Sequence, residues 1–331
     1  MTDKDKLGLV CQITSGYTFV EHENNKYIID VADDNLVGRS IDVYNEVLQS
    51  SRFDEFLDKD HIEFYLVKYK VWKPADKNNI VELQKSLDDA KLELYSLFGM
   101  PKTQIDKTKK RIELIRKSLG EKLSPKHYLE QFTLEGYAEY VAELYLFSQL
   151  IYDTNYNKVE LPDFKLDRIV TKYKMKLPQI DVLRLLARTE PWRSIWGANK
   201  NCFRKIGDEQ RMLVVFTKMY DNVWEHPERP PDGVIDDDDM LDGWFIHMKK
   251  KVEEERRETF KNKLEQRHGD AKEIFVFTNS QEEAQEVDQM NNTRAKVIKQ
   301  RIENNIKTKG YSKDLDIPEL RLEAEQEARN G

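Results

Sequence analysis

Cysteine is scarce in this sequence of 331 residues: only Cys11 and Cys202 occur, far apart and without CxxC spacing. Two such residues provide neither a disulfide framework nor a thiolate metal site, so a reducing compartment is the simplest expectation. The six histidines are scattered and form no HExxH pair or other close ligand spacing. We therefore expect no metal site and no metal cofactor.

Motifs for phosphate binding and for nucleophilic catalysis are absent as well. The chain contains no GxGxxG or GxxxxGK[ST] loop and no GxSxG elbow. No apolar run approaches the roughly 18 residues of a membrane span, and the first residues lack a signal-like apolar stretch. We expect a non-enzymatic protein with no cofactor, no small-molecule substrate and no membrane partner, which stays in the compartment where it is made.

Neither sign of charge is in large excess. The chain has 54 Lys and Arg against 61 Asp and Glu, a net charge of −7, which argues against a surface built to coat nucleic acid. Charged residues make up 35 % of the chain and apolar residues 39 %. Because ordinary domains contain about 25 % charged residues, this composition favours long, solvated helices around modest cores.

The first residues are rich in β-forming side chains and are broken by short polar turns. They predict a small N-terminal β-meander with strands at 10–13, 17–20 and 27–29. Three short strands bury little surface by themselves. We expect the meander to pack on helices, the first of which starts near Ser40, within a mainly α fold.

A heptad-like spacing of apolar residues runs through residues 80–97 and returns through 105–119. The segment Gly99-Met100-Pro101 stops the first helix before the second begins. This pattern predicts an antiparallel, coiled-coil-like helical hairpin. We interpret it as a protruding arm whose outer faces meet another subunit. The predicted seam consists of Leu83, Leu87, Leu94, Ile112 and Ile115.

Beyond the hairpin, Ser124-Pro125 predicts the start of a central buried helix, with a break near Gly136. Shorter helices are expected at 182–188, 192–198 and 209–225, the last with Met212, Val215, Phe216, Met219, Tyr220 and Val223 inward. After a proline-rich loop, Asp239 or an earlier aspartate should cap an extended charged helix that ends near residue 267. A short strand at 274–277 and a helix from Ser280 complete the helical C-terminal half.

These segments suggest five regions along the chain. Residues 1–75 contain the meander and its helices, and 76–122 form the hairpin. Residues 123–160 contain the central helices, and 161–270 a second helical domain that includes the extended charged helix. Residues 271–331 hold a strand, a helix and a flexible tail.

The acidic run Asp236-Asp237-Asp238-Asp239, with Asp242 close by, has two interpretations. Carboxylate oxygens of this kind bind divalent cations. No EF-hand pattern follows, however, and aspartates before a helix are favoured as caps and as partners of the helix dipole. We favour capping beside an interface, with Asp238 as a candidate interaction residue.

Arginines and aromatic residues alternate in the segment 184–205. Cations with stacking rings suit single strands or phosphates, which makes Arg188, Trp192, Arg193 and Trp196 candidates for a nucleic-acid surface. The competing interpretation, which we favour, places the two tryptophans in the core because they lie four residues apart on one helix face.

The second arm of the hairpin is also basic. Lys109, Lys110 and Arg111 are candidate contacts with another subunit, although a solvated helix face explains them equally well.

Three segments carry a resemblance to a known class of proteins: Ala187-Arg188-Thr189-Glu190-Pro191-Trp192-Arg193, the run from Ile235 to Trp244, and the helix from Glu283-Ala284 to Arg301. Mainly over residues 180–310, the chain resembles uncharacterised virion structural or assembly proteins of large tailed bacteriophages. The resemblance implies a tail, neck or portal-vertex component made in the bacterial host cytoplasm, oligomeric in a particle with other virion proteins. Trp244 is a further candidate contact residue.

Two rival functions remain open. One is a nucleic-acid-binding accessory protein that uses the segment 184–205, with nucleic acid as a secondary partner. The other is an assembly chaperone that is absent from the mature particle.

Overall fold

The computed structural model describes residues 1–50, 57–58, 61–73, 75–268, 281–291 and 296. They are mainly helical and include a small three-stranded antiparallel sheet packed on helices, which confirms the predicted fold class. The chain divides into two units, Met1–Trp244 and Phe245–Gly331.

The first predicted strand is wrong, because its residues belong to helix α1, Asp3–Ser15. Thr2 and Asp5 form a capping box: the Thr2 hydroxyl accepts from the Asp5 N–H at 3.3 Å, and the Asp5 carboxylate accepts from the Thr2 N–H at 2.8 Å. Val10 and Ile13, the two buried residues of α1, lie three positions apart on one helix face. The cap and this burial outweigh the β propensity of the segment.

The other two predicted strands are present as β1, Tyr17–His22, and β2, Asn25–Asp30, which pair antiparallel. The turn between them places Glu23 and Asn24 at φ +49° and +60°, as a two-residue type I′ hairpin requires. Helix α2, Asp34–Gln49, begins earlier than predicted, because the Asp33 side chain accepts from the Leu36 N–H at 2.8 Å and caps it.

The helical hairpin is confirmed. Helix α3, Ile62–Lys68, precedes its two arms, α4, Asp76–Ser96, and α5, Lys102–Glu130, which pack on each other. Ser124-Pro125 does not start a new helix, since Pro125 lies inside α5. Of the predicted seam, Leu94 and Ile112 are fully buried, and the remaining three residues are half-buried.

The break near Gly136 is confirmed: helix α6, Leu134–Ser148, is capped by Thr133, whose hydroxyl accepts from the Gly136 N–H at 3.0 Å. The sheet's third strand is β3, Ile151–Tyr152, which pairs with β2 and not with the N-terminal residues. Helix α7, Asp163–Lys176, packs on β1 and on α6. Together these elements enclose a core of buried residues: Val20, Tyr27, Ile29, Phe147, Leu150, Ile151, Leu166, Ile169 and Val170.

The predicted helices of the next segment are confirmed as α8, Ile180–Arg188, α9, Trp192–Ala198, and α10, Asp208–Glu225. The prediction that Val215 points inward is wrong, since that side chain is 56 % exposed and Leu213 and Thr217 are buried in α10. The short α11, Asp232–Ile235, interrupts the proline-rich loop.

The extended charged helix is α12, Asp238–His268, and α13 covers Gln281–Met290. Residues 252–259 of α12 are exposed, and Lys249 lies 3.9 Å from Glu253, one of the predicted helical ion pairs. The predicted strand at 274–277, Ser280 and the tail after residue 296 lie outside the described residues.

The hairpin does not protrude, which corrects that interpretation. Lys109 and Arg116 of α5 form ion pairs with Asp237 and Asp239 of the same chain. A Cβ built at Gly243 would lie 2.1 Å from the Lys91 carbonyl oxygen, so the start of α12 lies directly on the backbone of α4. Charge complementarity and this close approach hold the hairpin on the body of the first unit.

Candidate functional site

The acidic run caps α12, as predicted. The Asp237 carboxylate accepts hydrogen bonds from the N–H groups of Asp239 and Met240, both at 3.1 Å. These are two of the four N–H groups that a helix leaves without partners at its start. The negative charge of Asp237 also interacts favourably with the positive end of the helix dipole.

Asp238 lies at the centre of a half-buried polar cluster. The Tyr220 hydroxyl donates to its Oδ1 at 3.1 Å, and Arg184 Nε lies 3.2 Å from the same oxygen. Arg188 pairs with Asp238 and donates to the Tyr220 hydroxyl at 2.7 Å. Burial raises the pKa of Tyr220, so this phenol stays neutral and keeps the proton that it donates.

Asp239 of the run and the nearby Asp242 also have cationic partners. Arg184 Nη1 lies 2.8 Å from one oxygen of Asp242, and Lys91 Nζ lies 2.7 Å from the other. Arg116 Nη1 donates to Asp239 at 3.1 Å. In the part of the chain that the structure describes, no group of three or more His, Cys, Asp or Glu side chains is arranged to hold a metal ion. The arrangement joins α4, α5, α8 and α10 to the start of α12.

The tryptophans of the segment 184–205 are buried, which confirms the core interpretation for both rings. Trp192 is 0 % exposed and Trp196 7 %, and their rings stack at 5.8 Å. The Trp192 indole N–H donates to the Thr217 hydroxyl at 2.8 Å. Arg193 donates to Asp221 at 2.7 Å and lies 4.6 Å from the centre of the Trp224 ring. Neither Trp192 nor Trp196 presents a face on which a base could stack.

The remaining candidates are divided between interior and surface. Trp244 is 3 % exposed and meets the edge of His226, with ring centres 5.3 Å apart. Arg111 pairs with Glu93 across the hairpin at 2.8 Å, and Lys110 is exposed. The interaction candidates therefore do not form one surface patch.

A surface that we did not predict follows the outer face of α3 and the turn after it. Phe64, Val67, Tyr69 and Val71, which we call the aromatic surface, are 61, 40, 67 and 52 % exposed. Tyr65 stacks on Tyr69 at 6.1 Å and meets Phe64 edge-on at 5.4 Å. The Lys68 ammonium lies 5.6 to 5.9 Å from the centres of all three rings. Contiguous exposed aromatic residues of this kind are typical of binding surfaces.

The opposite face of α3 fixes this surface to the hairpin. Ile62 and Leu66 are 0 % exposed and lie in one core cluster with Trp72, Ile80 and Leu119. The helix ends in a Schellman arrangement: the Val71 N–H donates to the Leu66 carbonyl at 2.9 Å, and Lys70 adopts φ +60°. The exposed rings are thus carried on a short but anchored element.

One sequence signal was available for this surface. Eight of the eleven residues from Ile62 to Trp72 are apolar or aromatic, counted from the sequence. A helix that is apolar on all sides has more apolar surface than one core contact covers, so part of it must face solvent or a partner.

Among the described residues, no helix is long and apolar enough to cross a membrane. No protein-family model, curated protein or solved structure matches the chain.

Proposed function

We propose that this protein is a non-enzymatic component of a protein assembly and that the aromatic surface on α3 is its principal contact with a partner protein. The observation that carries the proposal is the exposure of Phe64 on α3 and of Tyr69 directly after it, 61 % and 67 %, while Ile62 and Leu66 on the other face of α3 are fully buried. Aromatic side chains lose little conformational entropy on binding and are frequent anchors of interfaces.

The charge around these rings favours a protein partner. The Lys68 ammonium lies 5.9 Å from the ring centres of Phe64 and Tyr69, and Lys77 pairs with Glu63 of α3 at 3.0 Å. An apolar centre bordered by charged groups is the usual anatomy of a protein–protein interface. The nucleic-acid alternative has less support, because Trp192 and Trp196 are buried.

We further propose that the assembly is a bacteriophage particle, in which the chain is a tail, neck or portal-vertex protein or takes part in morphogenesis in the host cytoplasm. The resemblance of residues 180–310 supports this assignment. Mass spectrometry of purified particles distinguishes a virion component, which is retained, from an assembly chaperone, which is absent.

The interface itself is tested by site-specific photo-crosslinking in the cell in which the assembly forms. With benzoylphenylalanine at position 64, we expect crosslinks to one defined partner or to a second copy of the chain. Position 164 is a matched control, because Phe164 is also 61 % exposed but lies on α7. The Phe64→Ser/Tyr69→Ser variant should lose the association and Phe164→Ser should keep it. Equal crosslinking at both positions would refute the assignment of this surface.

A further inference from the structure

A cavity of about 280 Å³ lies between α2, α6, α7 and the start of α10. Its apolar lining includes Phe147 and Leu150, which are 8 % and 5 % exposed, together with Leu146 and Leu177. This volume is close to the lower end of the range of small-molecule sites, about 300–1,000 Å³. The cavity lies within the first unit, and none of its lining residues belongs to the aromatic surface.

The lining contains five carboxylates and two cationic side chains. Four of these carboxylates have cationic partners in the same unit. The pairs are Glu143 with Lys174 at 2.6 Å, Asp34 with Arg211 at 3.0 Å, Asp208 with Arg211 at 3.9 Å, and Asp30 with Lys205 at 2.7 Å. Both lining cations are therefore already engaged, and the cavity offers no spare positive charge to an anion.

Glu209 is the fifth carboxylate, and it differs from the others. Within the described part of the chain no side chain forms a hydrogen bond or ion pair with it, although it is half-buried. Burial raises the pKa of Glu209, a hydrogen bond from its own backbone N–H lowers it, and the nearby charge of Asp208 raises it. Burial likewise raises the pKa of Tyr173, a phenol that lines the same cavity. A desolvated carboxylate without a cation is energetically unfavourable in this position.

The helix dipole alone does not explain Glu209. Acidic residues in the first turn of a helix are favoured, and both Asp208 and Glu209 occupy that turn of α10. Asp208 satisfies this preference while its carboxylate stays in solvent, because its side chain is 94 % exposed. Glu209 lies at the same end of the helix but is half-buried, so the dipole acts there on a carboxylate that has also lost much of its hydration.

We propose that this cavity binds a small organic cation, whose ammonium group pairs with Glu209 and whose apolar body packs against Phe147 and Leu150. A cation supplies the charge partner that the protein does not, and the apolar walls favour an alkyl chain over a hydrated metal ion. An anion would meet a surplus of carboxylates, and a neutral ligand would leave Glu209 unpaired. The site is independent of the proposed interface on α3.

The test is a titration of the full chain with n-butylammonium near neutral pH, in which binding is measured by calorimetry and by NMR. The uncharged probe n-butanol has a similar alkyl chain. We expect saturable binding of the cation, and binding of the alcohol that is weaker by about tenfold or more, which corresponds to about 1.4 kcal/mol. Affinity for the cation should fall in acid, as Glu209 becomes protonated. No saturable binding of the cation, or equal binding of the two probes, overturns the proposal.

Two variants test whether the carboxylate of Glu209 is the group that pairs with the cation. Glu209→Gln keeps the shape of the side chain and should weaken butylammonium binding about tenfold, whereas Asp208→Asn, in the same helical turn but exposed, should stay within about threefold of the original chain. Circular dichroism checks that both variants fold. If Glu209→Gln binds the cation as tightly as the original chain, or if Asp208→Asn alone abolishes binding, the assignment to Glu209 is wrong. The comparison of cation with alcohol in the original chain decides the outcome even if a variant does not fold.

Discussion

The start of α12 and the outer face of α3 differ in opposite ways from the usual distribution of residues between core and surface. At the start of α12, aspartates and arginines that usually belong to a protein surface are half-buried and paired with each other. On α3, rings that usually belong to a core are in solvent. Residue type therefore does not locate function here. The charged cluster joins helices of one chain, and the aromatic surface is the part that we propose contacts another chain.

The largest effect expected from this comparison is the loss of stability on changing Asp238→Asn. Arg184 and Arg188 are only 11 % and 10 % exposed. Arg188 would lose the carboxylate that compensates its burial, and Arg184 would keep only its pair with Asp242. We expect a loss of about 3 kcal/mol in the free energy of unfolding, as when one partner of a buried ion pair is removed. Urea unfolding followed by tryptophan fluorescence measures it.

Asp236→Asn is the matched control, since Asp236 is exposed and accepts from Arg188 only through its backbone oxygen, at 2.9 Å. Its stability should change by less than about 0.5 kcal/mol. Similar effects of the two substitutions would show that the cluster is not a structural centre.

The second prediction concerns the contact between the hairpin and α12. An alanine Cβ at position 243 would lie 2.1 Å from the carbonyl oxygen of Lys91 and 2.9 Å from Tyr95 Cβ. Backbone must move to admit it, so Gly243→Ala should cost about 1–3 kcal/mol or more in thermal or urea unfolding. Gly120→Ala in α5 should have the opposite sign, because its Cβ would meet nothing within 4 Å and alanine favours a helix.

If Gly243→Ala does not destabilise the chain more than Gly120→Ala does, the hairpin is separable from the body. The protruding-arm interpretation would then return.

The third prediction concerns the aromatic surface, the second of the two regions compared. The rings of Phe64 and Tyr69 are mostly in solvent, so the Phe64→Ser/Tyr69→Ser variant should lose association but change the unfolding free energy by no more than about 1 kcal/mol. A destabilisation as large as that of Asp238→Asn would show that these rings hold the fold and not a partner. Sedimentation velocity and urea unfolding on the same preparations separate the two outcomes.

Much of the fold was predictable because local patterns determine it. Heptad spacing predicted the hairpin, and apolar residues at helical spacing predicted α10. The errors have long-range or competing causes. Strand β3 pairs with β2 across more than a hundred residues, which no local pattern reveals. Residues 10–13 have β propensity, but the Thr2–Asp5 capping box and the burial of Val10 favour a helix.

The candidate site was less predictable than the fold. The Arg/Trp segment has the composition of a nucleic-acid surface, but its partners Asp238 and Asp221 are distant in sequence, and only the tertiary structure brings them together. The acidic run was correctly assigned as a cap because capping is local. The aromatic surface was missed because periodicity shows which residues of a helix cluster together but not which of its faces is covered.

The smallest expected effect concerns Glu209, which extends the comparison to a half-buried carboxylate without a cation. Burial raises its folded-state pKa, so the folded chain binds a proton more tightly than the unfolded chain does. The stability that this proton provides is present in acid. It is lost as pH rises from the ordinary glutamate pKa, about 4.3, through the higher pKa of Glu209. Glu209→Gln should therefore raise the melting temperature slightly near neutral pH and have little effect in acid. Melting curves across this pH range, with Asp208→Asn as the control, measure the difference; a Glu209→Gln variant less stable than the original chain at neutral pH would contradict an uncompensated carboxylate.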